Sequence, residues 1–113
     1  MNPKFDVIFL EEAMEFLEWL EEKERTKIIY NIDKSRFSND PKLFKKLDEE
    51  IWEFRTRYNK QQFRLFAFWD KRDKQETLVV STHGIVKKTD KLAKKEISKA
   101  KEIMDIYFSE DNE

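Results

Sequence analysis

Residues 51–69, IWEFRTRYNKQQFRLFAFW, decide the fold of this chain. In the first half, Trp52 and Phe54 alternate with charged residues. The second half, residues 63–69, alternates again and is rich in the aromatic residues that strands favour. The polar residues 58–61 between the two halves are typical of a turn. The stretch therefore predicts two antiparallel strands joined by a short hairpin.

Strand and helix patterns continue on both sides of this hairpin. Residues 77–85 form a β-branched run typical of a third strand, and residues 4–9 predict a short strand near the N-terminus. Asp40-Pro41 is a helix-start signal, which predicts a short helix to about residue 47. Three other segments predict helices: residues 11–24, 26–37 and 93–108. The order β-α-α-(α)-β-β-β-α indicates an α+β fold, an antiparallel sheet with helices against one face.

Length and composition exclude several classes of protein. The 113 residues suit one domain, and 10 Phe, 3 Trp and 3 Tyr argue against disorder although 42% of positions are charged. The absence of cysteine excludes a disulfide framework, and the single histidine excludes a multi-histidine metal centre. The longest uncharged stretch, residues 77–86, is too short to span a bilayer, and no signal peptide follows Met1. We expect one cytoplasmic domain over residues 1–113, with an acidic tail at about 109–113.

Charge is distributed unevenly along the chain. Residues 1–54 carry 9 Lys and Arg against 14 Asp and Glu, whereas residues 55–104 carry 14 against 6. This asymmetry favours a polyanionic partner on one face of the protein. The alternative is an ordinary solvated surface, on which charges have no partner beyond water.

Cationic residues recur on and after the predicted strands: Arg55, Arg57, Arg64, Lys87 and Lys88. Because neighbouring strands of an antiparallel meander present side chains to a common face, several of these cations are expected to meet there. Phe66 shares the face of Arg64 and provides an aromatic floor. Clustered arginines suit phosphate, which they bind by paired hydrogen bonds. The alternative is an exposed strand face on which Glu53 simply pairs with Arg55.

The only glycine of the chain, Gly84, follows the only histidine, His83. Glycine at this place indicates a bend or a bulge, or else a strand end that needs a positive φ. With an ordinary pKa near 6.5, His83 is a candidate acid or base. The alternative is that its ring braces the strand.

Four segments occur in a fixed order: IWEFR at 51–55, FRLFAF at 63–68, HGIVKKT at 83–89 and EI-x-x-A at 96–100. Together they resemble the Gp49-like branch of HigB toxins in the RelE/ParE superfamily, over about residues 9–107. The resemblance implies a RelE-like fold: a small antiparallel sheet, an N-terminal helical hairpin and a C-terminal helix packed against the sheet.

The resemblance also implies a function, that of a type II toxin that cleaves mRNA on the ribosome. Such toxins need neither metal nor cofactor, because the 2′-OH of the RNA attacks the adjacent phosphate. Arg55 and Arg64 match the arginines of the family motifs, and Lys87 is a candidate for phosphate binding or proton transfer. His83 is the further catalytic candidate, with stacking of its ring on RNA as an alternative. The candidate RNA-binding residues are Arg57, Phe66, Lys88 and Lys91.

The partners implied are mRNA, the ribosome and a helix-turn-helix antitoxin, without a membrane. Two other functions remain open on the same scaffold. One is a ParE-like toxin directed against gyrase, and the other is a catalytically inactive phage accessory protein that binds nucleic acid. The presence of Arg55, Arg64 and Lys87 in one chain favours the endoribonuclease.

Overall fold

A computed structural model describes residues 2–72, 77–89 and 94–110 of the chain. Its strands and helices are β1 (Asp6–Phe9), α1 (Glu11–Trp19), α2 (Glu22–Ser35), β2 (Phe44–Lys46), β3 (Trp52–Tyr58), β4 (Gln61–Asp70), β5 (Leu78–Lys87) and α3 (Lys94–Glu110). No helix in these residues has both the length and the apolar character needed to cross a membrane.

The strands form one mixed sheet in the order β1-β5-β4-β3-β2. The pairs β3–β4 and β4–β5 are antiparallel, as predicted, and β2, which was not predicted as a strand, also pairs antiparallel with β3. β1, however, pairs with β5 in parallel, so the prediction of a purely antiparallel sheet was wrong. The helical hairpin α1–α2 carries the chain from β1 at one edge to β2 at the other. The direction of β1 is therefore not set by a tight turn.

Helices cover both faces of the sheet, which corrects the prediction of helices against one face. On one face, which we call the hairpin face, α1 and α2 pack on Phe63, Leu65 and Ala67 of β4. On the other, the α3 face, α3 packs on Phe66 and Phe68. β4 lies at the centre of the sheet and is buried on both sides, which explains its nearly continuous apolar sequence.

The break between the first two helices lies earlier than predicted, at residues 20–21 rather than near residue 25. α1 ends at Trp19 and α2 begins at Glu22, because the chain is extended at Leu20 and Glu21. At the start of α2, the side chain of Glu24 accepts a hydrogen bond from the backbone N–H of Glu21, at 3.0 Å. This contact satisfies one of the donors left free at a helix N-terminus and fixes the break.

The helix predicted over residues 41–47 is instead a turn followed by the edge strand β2. The Asp40 carboxylate accepts a hydrogen bond from the backbone N–H of Lys42, at 2.9 Å. The ring of Phe44 then stacks on Phe54, with centroids 4.3 Å apart. Aromatic burial and pairing with β3 therefore outweigh the local helix signal.

The predicted hairpin between β3 and β4 is confirmed. Asn59 and Lys60 have φ of 52° and 65°, which places both central residues of the turn in the left-handed region. This two-residue geometry matches the right-handed twist of the strands on either side.

The predicted irregularity near Gly84 is a β-bulge. Phe66 pairs with His83 but Ala67 pairs with Ser81, which leaves Thr82 as the extra residue of β5. Gly84 itself lies inside β5 without a positive φ, so the strand-end alternative was wrong. Glycine is needed at this position because the ring of Phe16, on α1, occupies the space where a Cβ would lie.

Gly84→Ala is therefore expected to lower the free energy of unfolding by about 1–3 kcal/mol, as overpacked cores typically do. Phe16→Leu/Gly84→Ala should recover part of this loss, because the smaller side chain makes room for the methyl group. Urea unfolding of both variants measures the effect. Equal losses in the single and double variants would contradict the steric explanation.

Candidate functional site

α3 covers only part of the α3 face of the sheet. α3 packs where Phe66, Phe68 and Val80 are buried. Nearer the β3–β4 turn, the same face carries polar and charged side chains of β3, β4 and β5. This polar part of the face contains most of the cations that the sequence analysis identified.

The strand register brings those cations together. Arg55 of β3 lies directly opposite Arg64 of β4, and Gln62 lies between Arg57 of β3 and Lys87 of β5. Neighbouring strands are about 4.8 Å apart, so Arg57 and Lys87 are separated by about 10 Å of backbone. The four cations thus surround Gln62 on one face of the sheet.

Two open depressions meet at Gln62. The first has a volume of about 340 Å³ and is lined by Lys42, Arg55, Thr56, Arg57, Gln62 and Arg64. The second, of about 300 Å³, is lined by Lys60, Gln61, Gln62, Val86, Lys87, Lys88 and Thr89. We call the two together the basic surface. No carboxylate is among these lining residues, so the potential at the surface favours an anion.

Arg64 lies at the bottom of the first depression, with 4% of its side chain exposed. Its Nη1 donates to the carbonyl oxygen of Phe63 at 3.1 Å, and its Nη2 donates to Oε1 of Gln62 at 2.6 Å. Its Nε lies 3.3 Å from Oε1 of Glu53. Burial lowers the pKa of Arg64, and the charge of Glu53 opposes this effect. Arg64 is therefore a fixed cation beneath the basic surface.

Glu53 holds the two arginines in a buried network. Its side chain is 7% exposed, and its other carboxylate oxygen lies 3.6 Å from Nε of Arg55. Arg55 is 32% exposed and donates from Nη1 to the carbonyl oxygen of Pro41 at 3.4 Å. The pairing of Glu53 with Arg55 is thus present, but it leaves the Arg55 guanidinium accessible to a ligand.

His83 lies apart from the basic surface, in the core beneath α3. Its Nδ1 is hydrogen-bonded to the Thr82 hydroxyl at 2.8 Å, and its Nε2 to Oε1 of Glu96 at 3.0 Å. The ring stacks on Phe66, which is 1% exposed and has no surface to offer RNA. The Glu96 contact ties β5 to the first turn of α3. These contacts favour the interpretation of His83 as a brace.

The protein is expected to lose stability through His83 as the pH falls below about 6.5. Burial lowers the pKa of His83 in the folded state, and Glu96 opposes this effect only in part. The unfolded chain then binds the proton first, so the free energy of unfolding decreases as the pH falls. Urea unfolding between pH 7.5 and 5.5 should show this decrease in the wild type and a smaller one in His83→Gln. Parallel curves would contradict it.

The remaining predicted residues occupy different positions. Arg57 and Lys88 are exposed, whereas Lys91 lies outside the described residues. Gln62 and Lys42 were not predicted. Gln62 precedes Arg64 by two positions, so strand alternation alone would have placed it on the basic surface. Among the described residues, no three acidic or histidine side chains are grouped so as to hold a metal ion.

Comparison with known proteins gives one informative match. The sequence profile of a family described as phage-derived protein Gp49-like (DUF891) matches residues 15–105. The matched segment runs from within α1 to within α3 and contains every residue that lines the basic surface. No curated protein matches the chain.

Proposed function

Since the chain belongs to the Gp49-like phage-derived protein family, which is associated with toxins of toxin–antitoxin systems, we propose that it is a type II toxin of RelE-like fold that cleaves mRNA on the ribosome. One observation carries the proposal. Arg55, Arg57, Lys87 and the buried Arg64 surround Gln62 on one open face, within the reach of a single phosphate and its neighbours.

The reaction proposed is an internal transfer within the RNA. The 2′-oxygen attacks the adjacent phosphorus, the bond from phosphorus to the 5′-oxygen breaks, and a 2′,3′-cyclic phosphate and a 5′-OH result. The 2′-OH loses its proton and the leaving 5′-oxygen gains one. The transition state carries extra negative charge on the phosphate oxygens, so fixed cations lower the barrier.

The geometry suggests a role for each cation. Arg55 is accessible and planar, so it is suited to bind two phosphate oxygens at once. Lys87 approaches from the neighbouring depression and is assigned to phosphate binding and proton transfer. Arg64 contributes positive potential from beneath and positions Gln62. His83 acts as a positioning residue, because its contacts hold β5 against α3.

The partners follow from the same surface. Arg57 and Lys88 are exposed beside the proposed phosphate site, where they are suited to grip the backbone of mRNA or of ribosomal RNA. Lys91 is proposed for the same role from its sequence position. A helix-turn-helix antitoxin would neutralise the toxin by covering the basic surface.

Induced expression of the wild-type protein tests the proposal, with growth and the 5′ ends of cellular mRNA as readouts. We expect growth arrest together with new 5′-OH ends that lie in frame within translated messages. Arrest with intact messages and inhibited DNA supercoiling would instead identify a gyrase-directed toxin. Normal growth with folded protein would favour the catalytically inactive nucleic-acid-binding protein.

A further inference from the structure

A separate cavity lies on the hairpin face, towards the end of β3 and β4 that is remote from their turn. It has a volume of about 400 Å³, and its floor and walls include the rings of Phe44, Trp52 and Trp69. Phe44 stacks on Trp52 with centroids 4.8 Å apart, and Trp52 meets Trp69 edge-on at 5.7 Å. We call this cavity the aromatic cleft. Flat walls of this kind suit a planar aromatic ligand.

Lysines surround the aromatic cleft. Three lysines line it, Lys4, Lys45 and Lys46, whereas Asp40 is the one carboxylate among its lining residues. That carboxylate already accepts a hydrogen bond from the backbone of Lys42. An apolar cleft with a positive rim is complementary to a planar ring that carries negative charge beside it.

The aromatic cleft and the basic surface share one wall. Asp40 and Pro41 line the cleft, while the next residue, Lys42, lines the basic surface. This wall is held in place by Arg55, whose backbone N–H donates to the carbonyl oxygen of Leu43 at 2.8 Å. The cleft lies on the hairpin face and the basic surface on the α3 face, so a nucleic-acid strand that contacts both rounds the edge of the sheet at Lys42. The continuity favours RNA over an acidic peptide as the occupant.

We propose that the aromatic cleft binds a base of the RNA strand, one or two nucleotides from the phosphate held at the basic surface. The inference rests on the proposed function and extends it to a base-binding subsite. The base stacks on one tryptophan ring and meets the other edge-on, since Trp52 and Trp69 are nearly perpendicular, and the lysines of the rim contact the flanking phosphates. Stacking on aromatic side chains accepts every base, so the subsite adds affinity more than sequence preference.

Tryptophan fluorescence tests the proposal directly, because two of the three Trp residues line the cleft. The third, Trp19, is 73% exposed on α1 and is replaced in the variant Trp19→Phe, so that only Trp52 and Trp69 fluoresce. The probe is a short single-stranded RNA with 2′-O-methyl groups, which lacks the attacking hydroxyl. A probe of equal length without bases, and an acidic peptide rich in leucine, serve as comparisons.

The RNA probe is expected to quench the fluorescence saturably and to bind roughly tenfold more tightly than the probe without bases. Lys46→Glu should weaken binding roughly fivefold, because it reverses a charge at the rim. The matched control Lys23→Glu changes an exposed lysine on α2 and should leave binding unchanged. Equal binding of both probes, or quenching by the peptide alone, would overturn the proposal.

The titration requires no cleavage, so the two proposals fail separately. If bases increase the quenching but the protein leaves mRNA intact, the subsite is retained as a nucleic-acid contact. Only the proposed endoribonuclease activity is then overturned. Cleavage of mRNA without base-dependent quenching retains the enzyme and overturns the subsite.

Discussion

Arg55→Ala is expected to reduce the proposed RNA cleavage by about 100-fold, because it removes the cation that we assign to stabilising the charge of the transition state. The folded protein should change little. The side chain is 32% exposed, and its contacts to Pro41 and Glu53, at 3.4 and 3.6 Å, are long. The loss of such contacts at a partly exposed site costs about 1 kcal/mol or less.

Cleavage is best measured in a translating extract, by mapping the 5′ ends of a defined message over time. Arg55→Lys should restore only part of the rate, since an ammonium group cannot bind two phosphate oxygens in the planar manner of arginine. Lys23→Ala removes the same charge from an exposed lysine of α2, on the opposite face of the sheet, and should cleave normally. Wild-type rates in Arg55→Ala would exclude Arg55 from the reaction.

Arg64→Ala is expected to lower the free energy of unfolding by about 3–5 kcal/mol, a large part of the stability of a small domain. The cause is Glu53, which keeps a carboxylate that is only 7% exposed after its closest cation has been removed. The hydrogen bond to Gln62, at 2.6 Å, is lost as well. Urea unfolding followed by circular dichroism measures the change.

A double variant separates this structural effect from catalysis. Glu53→Gln/Arg64→Met replaces the buried ion pair by neutral groups of similar size and should recover most of the lost stability. It should not recover cleavage, because the cation beneath the basic surface is still missing. Full activity in the double variant would show that Arg64 acts only through Glu53. A stable Arg64→Ala would show that the carboxylate finds another partner.

The centre of the sheet could be predicted from the sequence because it is formed by local contacts. Residues 51–69 alternate in strand fashion on both sides of a turn, and a two-residue turn fixes the register of the strands it joins. The alternation also placed Arg55, Arg57 and Arg64 on one face, as the register shows.

The edges of the sheet depended on distant contacts and could not be predicted in the same way. β2 forms because Phe44 finds Phe54 and Trp52, ten and eight positions away, whereas the local signal of Asp40-Pro41 favours a helix. β1 pairs with β5, and nothing in either sequence specifies a parallel arrangement. Tertiary packing decides both cases.

The sequence could predict which side chains share the face of the candidate site, but not which of them are buried. Strand periodicity identifies which side chains share a face, but it does not show how far α3 extends over that face. Phe66 and His83 therefore lie in the core beneath α3, while Arg55 and Lys87, on the same face, remain open. Arg64 lies between these extremes, buried and yet lining the basic surface.

The parallel pair at the edge of the sheet also sets the order in which the protein takes shape during synthesis. Phe9 lies beside Ser81. β1, the first strand to be synthesised, therefore cannot pair until β5, the last strand, has been synthesised. Such distant pairing makes folding slow and delays it until most of the chain has been translated. Lys87, which completes the ring of cations, emerges later still. The basic surface is therefore complete only when synthesis is nearly finished.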